Sequence, residues 1–162
     1  NKNLLIGKKS LKNDSFDFLI SSIDDFYEIT IPSYVKYISY FAFISHEKLK
    51  IVNFEKNSQL NSIGVAAFRL SSIESIVLPN SLKIVDRSAF ANCYELRALE
   101  FLSDEISIDS LCFEKSDDIV AISFPNAKKV RICFDAFDDK KNSFSLFLLP
   151  HTELTLFSSE YD

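Results

Sequence analysis

Apolar and polar positions along this chain repeat with a period of about 23 residues. The first half of each period reads apolar-x-x-apolar-x-apolar. It occurs as Phe26-x-x-Ile29-x-Ile31, Leu49-x-x-Val52-x-Phe54, Ile73-x-x-Ile76-x-Leu78, Leu96-x-x-Leu99-x-Phe101, Ile119-x-x-Ile122-x-Phe124 and Phe144-x-x-Phe147-x-Leu149. The second half closes on a small residue and a phenylalanine: Ala42-Phe43, Ala67-Phe68, Ala89-Phe90, Cys112-Phe113 and Ala136-Phe137, with Phe spacings of 25, 22, 23 and 24. An aliphatic stands five residues before each of these Phe, at Ile38, Ile63, Val85, Ile108 and Ile132. All four prolines (Pro32, Pro79, Pro125 and Pro150) directly follow the first-half pattern, and Glu55 and Leu102 take that place in the other two copies. Proline has no amide donor, so it marks where the chain leaves a sheet.

A period of this length is the signature of a solenoid, in which each repeat buries its apolar side only against its neighbours. The alternation in Ile29-Thr30-Ile31 predicts a short strand with both isoleucines facing inward. Too short to stand alone, such strands are expected to stack as a parallel sheet spaced by about 4.8 Å. The Phe residues are expected to form one column along the opposite wall, with the small residue before each letting the backbone turn close to the core.

The ends are less regular. Residues 1–25 read as a degenerate half-repeat or N-terminal cap, with Ile20-Ser-Ser-Ile23 as the worn pattern and Leu4-Leu5-Ile6 as an earlier strand. Residues 26–150 hold about five repeats, and 151–162 read as the start of a truncated repeat or a tail, because Leu154-x-Leu156 resembles Val130-x-Ile132. The lack of any methionine suggests a piece cut from a longer array.

Composition agrees with a packed array. With 162 residues and 47% hydrophobic content, the chain has the material for a continuous core and does not read as disordered. A formal charge of −5 argues against nucleic acid or an anionic membrane surface as a general partner. The apolar runs are only a few residues long, so no segment is expected to insert directly into a membrane. Three cysteines cannot all pair, and Cys93, Cys112 and Cys133 occupy small apolar phases of the repeat. They are expected to be buried thiols, with no C-x-x-C spacing to suggest a metal.

The combination of L-x-x-I-x-L-P, then V-x-x-I-x-x-x-A-F-x-x-C, resembles the BspA-like leucine-rich repeat family over Phe26–Pro150, most specifically in Ile73–Cys93. The family's Gly after the second-half aliphatic stands only at Gly64, with Ser39, Asp86, Asp109 and Cys133 in its place elsewhere. Its Cys after the Phe stands only at Cys93, replaced by His46, Ser71, Ser116 and Lys140. The resemblance implies an α/β leucine-rich-repeat solenoid, with a parallel sheet on the concave side and short helical, 3-10 or irregular segments on the convex side. It also implies a non-enzymatic protein-binding module in an adhesin-like protein at the cell surface, binding a host matrix or cell-surface protein. The alternative is a structural scaffold unit inside a larger intracellular assembly.

Candidate chemistry is sparse. His46 and His151 are the only histidines, and nothing in the repeat phase brings either to a nucleophile and an orienting acid. Two glycines leave no phosphate-binding loop, so no catalytic, cofactor or metal residues are expected. Asn13-Asp14-Ser15 is a lone glycosylation sequon. Asp24-Asp25, Glu47, Glu95 and Asp117-Asp118 recur in the turn before the strand, an edge for calcium or simply a solvated turn. Lys128-Lys129, Arg131 and Lys140-Lys141 make a small basic patch.

The strand face turned away from the core is the stronger candidate. Two columns are expected there, Glu28, Ile51, Ser75, Ala98, Ala121, Leu146 and Thr30, Asn53, Val77, Glu100, Ser123, Leu148. Solvent-facing strand positions are usually polar, whereas Ile51, Val77, Ala98, Ala121, Leu146 and Leu148 are not. Such a strip edged by carboxylates is the expected protein-binding face.

Overall fold

The computed structural model describes residues 4–8, 16–22, 24–137 and 144–158. The Asn13–Ser15 sequon, Ile23, and Lys140 and Lys141 lie outside the described residues. In chain order the strands are β1 (Leu4–Gly7), β2 (Phe18–Ser22), β3 (Glu28–Ile31), β4 (Tyr37–Ile38), β5 (Ile51–Phe54), β6 (Ser62–Ile63) and β7 (Ser75–Leu78). They continue as β8 (Ile84–Val85), β9 (Ala98–Phe101), β10 (Glu105–Ile108), β11 (Ala121–Phe124), β12 (Lys129–Cys133), β13 (Ser145–Leu148) and β14 (Glu153–Phe157).

The odd-numbered strands from β3 to β13 form one six-stranded sheet. The even-numbered strands form a second, eight-stranded sheet, with β1 added at its end. Among the described residues, every pairing is parallel except β1 with β2. The chain is therefore a β-solenoid of six coils, and the described residues contain no helix.

The expected α/β class is thus corrected to all-β: the second half of each repeat is a short strand. Its amide groups bond to the neighbouring coil and not along their own segment. Asn61 N–H donates to Lys36 O (2.7 Å), Gly64 N–H to Ile38 O (2.9 Å), and Asp86 N–H to Ile63 O (2.9 Å). A left-handed residue then follows in four of the coils, at Phe41, Ala66, Ser88 and Leu111, which no right-handed helix accommodates.

The core follows from the register. Ile29, Val52, Ile76, Leu99 and Ile122 are buried on one wall, and Ile38, Ile63, Val85, Ile108 and Ile132 on the other. Between them runs the expected aromatic column. Phe43, Phe68, Phe90, Phe113 and Phe137 stack face to face with centroids 5.0, 5.3, 6.2 and 5.0 Å apart. A second stack joins Phe101 to Phe124 at 5.0 Å. The prolines follow the strands at Pro32, Pro79 and Pro125, where the chain turns out of the sheet. Where Pro is replaced, the amide is used: Glu55 N–H donates to Ile31 O and Leu102 N–H to Leu78 O, both at 3.0 Å.

The corner around each stacked Phe has an unusual backbone. Left-handed residues recur two positions after the Phe, at Ser45, Leu70, Asn92 and Lys115, with φ between 55° and 61°. Together with the four before the small residue they alternate bonds within the turn and bonds to the next coil. Phe68 N–H reaches Ala89 O (2.9 Å) and Leu70 N–H reaches Ala91 O (3.1 Å), while Arg69 N–H turns back to Ala66 O (3.2 Å). A non-glycine residue in this region is strained by about 1 kcal/mol. Lys115→Gly, at an exposed corner with φ 55°, is expected to stabilise the fold by about 0.5–1 kcal/mol and raise Tm by a degree or two. A thermal melt showing no rise would mean that this corner is unstrained. Gly64 itself has no positive φ; a Cβ there would lie 2.8 Å from Tyr40 N and 3.0 Å from Ile38 O of the preceding coil.

One register differs from expectation. Ala121 pairs with Ser145, Ile122 with Leu146, Ser123 with Phe147 and Phe124 with Leu148. Leu146 and Leu148 therefore point inward and Phe147 outward, one residue away from the phase read in Phe144-x-x-Phe147-x-Leu149. A one-residue slip exchanges the two faces of a strand, and the unbroken run Leu146–Leu149 satisfies either phase. The turn confirms the shift: Thr152 N–H donates to Leu149 O (3.0 Å), as Leu82 N–H does to Pro79 O (3.1 Å), so Pro150 sits one place late.

Candidate functional site

The outward face of the six-stranded sheet carries two columns in register. The first runs Glu28, Ile51, Ser75, Ala98, Ala121 and then Ser145; the second has Val77, Glu100, Ser123 and then Phe147 in line. Ser145 and Phe147 replace Leu146 and Leu148 as members of this face, and those two leucines leave the candidate site. Thr30 and Asn53 pair at the other end. The Asn53 amide donates to Glu28 Oε1 at 2.7 Å, so the Glu28 edge is engaged by its neighbour. Ala98, Glu100, Ala121 and Ser123 are partly buried, whereas Val77 is 53% exposed and Ile51 also stands open.

An open hollow of about 550 Å3 lies over the near half of this face. Four sequence candidates line it: Ile51, Asn53, Ser75 and Val77. The rest of its wall comes from the turns that follow the strands, with Asn57, Ser58, Asn80 and Asn126 contributing polar groups and Pro79 and Leu102 apolar ones. Sequence reading missed these turn residues. Their signal was the recurrence of Asn two or three positions after the strand, at Asn57, Asn80 and Asn126. Asn126 donates to Leu102 O at 3.2 Å, fixing that corner of the rim. Glu55, the one charged residue on the wall, accepts from Ser33 N–H at 2.8 Å, and that bond holds its carboxyl below the usual range. The hollow thus offers an aliphatic floor with an amide and hydroxyl rim.

Two of the acidic turn residues, Asp25 and Glu95, are engaged within the chain. Glu95 bonds Lys50, which also lies 3.5 Å from Glu74. The Glu95 bond raises the Lys50 ammonium and lowers the Glu95 carboxyl. Asp25 caps Lys48 N–H at 3.1 Å. Among the described residues, no group of three or more metal-ligating side chains converges. In the small basic patch, Lys129 lies 3.9 Å from Glu153, and Arg131 stacks over the Phe157 ring at 5.0 Å. His46 Nδ1 donates to Ile44 O at 3.2 Å, with its ring edge-on to Phe26 and Phe43; His151 is exposed in the turn before β14. Asp86 has its carboxyl raised, by burial first and by the neighbouring Asp109 second, but it lies at the corner after β8 and does not line the hollow.

The three cysteines are buried free thiols, as expected. Burial pushes Cys93 up to about 11 and holds Cys112 and Cys133 above the ordinary thiol range. Cys93 also fastens two coils together, because its Sγ donates to Phe68 O of the preceding coil at 3.1 Å. One coil later Ser116 Oγ donates to Phe90 O at 2.7 Å and accepts from Cys93 N–H at 3.0 Å. At this phase Cys93 and Ser116 each carry a short donor that reaches the carbonyl of the Phe in the preceding coil.

Comparison with known proteins fits this architecture. A model described as "BspA type Leucine rich repeat region" matches residues 9–143 in six copies. The crystal structure of a leucine-rich repeat protein from Bacteroides ovatus aligns at 26% identity and a TM-score of 0.55, covering 80% of this chain. This chain spans 39% of the length of that protein. The pneumococcal vaccine antigen PcpA aligns at 14% identity with a TM-score of 0.29, over 85% of this chain and 64% of that one. No curated protein matches the chain significantly.

Proposed function

The chain belongs to the BspA-type leucine-rich repeat family, and we propose that it is a non-enzymatic protein-binding module working through the outward face of the six-stranded sheet. The observation that carries this reading is the hollow over Ile51, Asn53, Ser75 and Val77. Its exposed aliphatic floor supplies area worth burying, at about 25 cal/mol per Å2. Its Asn and Ser rim supplies hydrogen bonds that set register, with the Glu55 carboxylate as the one charge on the wall. Ala98, Glu100, Ala121 and Ser123 extend the same face toward β13 and would carry the far half of a longer contact. The setting we favour is a surface adhesin that meets a host matrix or cell-surface protein, in keeping with the surface association common in this family.

Capture of solubilised host matrix proteins on the immobilised chain, with and without calcium, tests this reading. Val77→Lys places a charge on the floor at a position already half open to solvent, so the fold is expected to survive. Capture is expected to fall at least tenfold with an unchanged melting curve. Ala121→Lys, two strands away, reports how far the contact runs. Full capture by both variants would move the site off this face.

A further inference from the structure

The turn that follows the second left-handed corner residue is one residue short in the coil of Phe68. Leu49, Leu96 and Ile119 come four residues after Ser45, Asn92 and Lys115, whereas Ile73 comes three after Leu70. All four of these apolar residues are buried, so the short turn is drawn in toward the core while the turns of the neighbouring coils stand proud of it. Only Ser71 and Ser72 separate Leu70 from Ile73, and their small side chains do not refill the space. The result is a recess of about 390 Å3 in the middle of the array. Glu47 walls it on one side, Leu70 and the two serines form its back, and Asn92 and Tyr94 wall the other side.

The bonds left unused in this recess define what fits it. Asn92 is only 7% exposed; its Oδ1 accepts from Tyr94 O–H at 3.0 Å, and its Nδ2 has no partner among the described residues. A donor placed so deep calls for an acceptor. Glu47 is exposed and has no ion-pair partner among the described residues, so it calls for a donor. Glu95, also on the wall, is already bonded by Lys50. Tyr94 is 57% exposed and Leu70 is open as well, which adds an apolar flank. A metal ion or a basic side chain would satisfy Glu47 but meet the Asn92 donor head-on, and an anion would satisfy Asn92 but be repelled by Glu47. The matching occupant is uncharged, carries groups that both donate and accept, and has an apolar side to lay on an aromatic ring. A pyranose has both, in its hydroxyls and its C–H face.

We propose that this recess binds one neutral hexopyranose residue of a glycan. The C–H face of the sugar packs on the Tyr94 ring, the Glu47 carboxylate accepts from one hydroxyl, and Asn92 Nδ2 donates to the oxygen of another. The volume lies in the range of small-ligand pockets. The site shares no residue with the outward face of the six-stranded sheet, so the protein-binding reading and this one can each fail alone.

Titration of the nitrogen-15-labelled chain with the methyl glycosides of glucose, galactose, mannose and N-acetylglucosamine, followed by amide NMR shifts, tests this. At least one glycoside is expected to give saturable shifts at Asn92, Tyr94 and Glu47, with a Kd of about 1 mM. Tyr94→Ala and Glu47→Gln, both at exposed positions, should keep the fold by circular dichroism. The first is expected to weaken binding about tenfold and the second about fivefold. Tyr34→Ala, at an exposed tyrosine outside the recess, should leave binding unchanged. No saturable shift with any of the four glycosides at tens of millimolar, or binding that ignores both recess substitutions, overturns the proposal. So does an equal response to N-acetylasparagine amide, which would make the recess a site for a peptide amide.

Discussion

Phe90→Ala is expected to cost about 3–5 kcal/mol, a large fraction of the stability that holds an ordinary domain together. Phe90 is fully buried in the middle of the aromatic column, stacked on Phe68 at 5.3 Å and on Phe113 at 6.2 Å. Its removal therefore opens a void with two flat aromatic walls that cannot close. Their backbones are pinned by the coil-to-coil bonds from Phe68 N–H to Ala89 O and from Phe90 N–H to Cys112 O, both at 2.9 Å. A collapse that filled the gap would have to break that ladder. At about 2–4 °C of Tm per kcal/mol for a chain of this size, thermal unfolding should move down by about 10 °C. A shift under two degrees would contradict the packing of the column. Phe90→Leu, which restores part of the volume, should recover part of the loss.

Ser116→Ala is the second large effect, expected at about 2–4 kcal/mol although it removes a single oxygen. That oxygen donates to Phe90 O and accepts from Cys93 N–H, and the site admits no solvent. Each buried backbone group left without its partner costs about 1–3 kcal/mol. Ser116→Cys distinguishes this account from one based on volume. Cys93 already donates through sulfur to the corresponding carbonyl, that of Phe68, so cysteine at 116 should keep the donor and lose less than alanine does. Equal Tm losses for the two variants in a thermal melt would show that the hydroxyl's bonds carry no weight.

The repeat phase was legible because burial imposes it: an inward residue out of phase meets solvent or backbone instead of a ladder of its equivalents. The strands of the six-stranded sheet, the Phe column and the buried cysteines could be read that way. The second sheet could not. Tyr37–Ile38, Ser62–Ile63 and Ile84–Val85 are two residues each, too short for alternation, and what makes them strands is bonding to neighbouring coils. The same limit hid the register of β13, where four apolar residues in succession fit either face and only pairing with β11 selects one. Half of the hollow was visible as outward strand positions. Its rim was not, because Asn57, Asn80 and Asn126 approach one another only after the turns stack.

The left-handed corners have a mechanical consequence. Along that edge every other amide points up the stack instead of along its own segment, so each coil is fastened to the next by a row of parallel bonds lying along the long axis. Tension between the two ends would load those rows one junction at a time, in the manner of a peeling zip, and not all together in shear. Length would then be released in steps of roughly one repeat, and the molecule would behave under pull as a yielding tether, not a rigid strut.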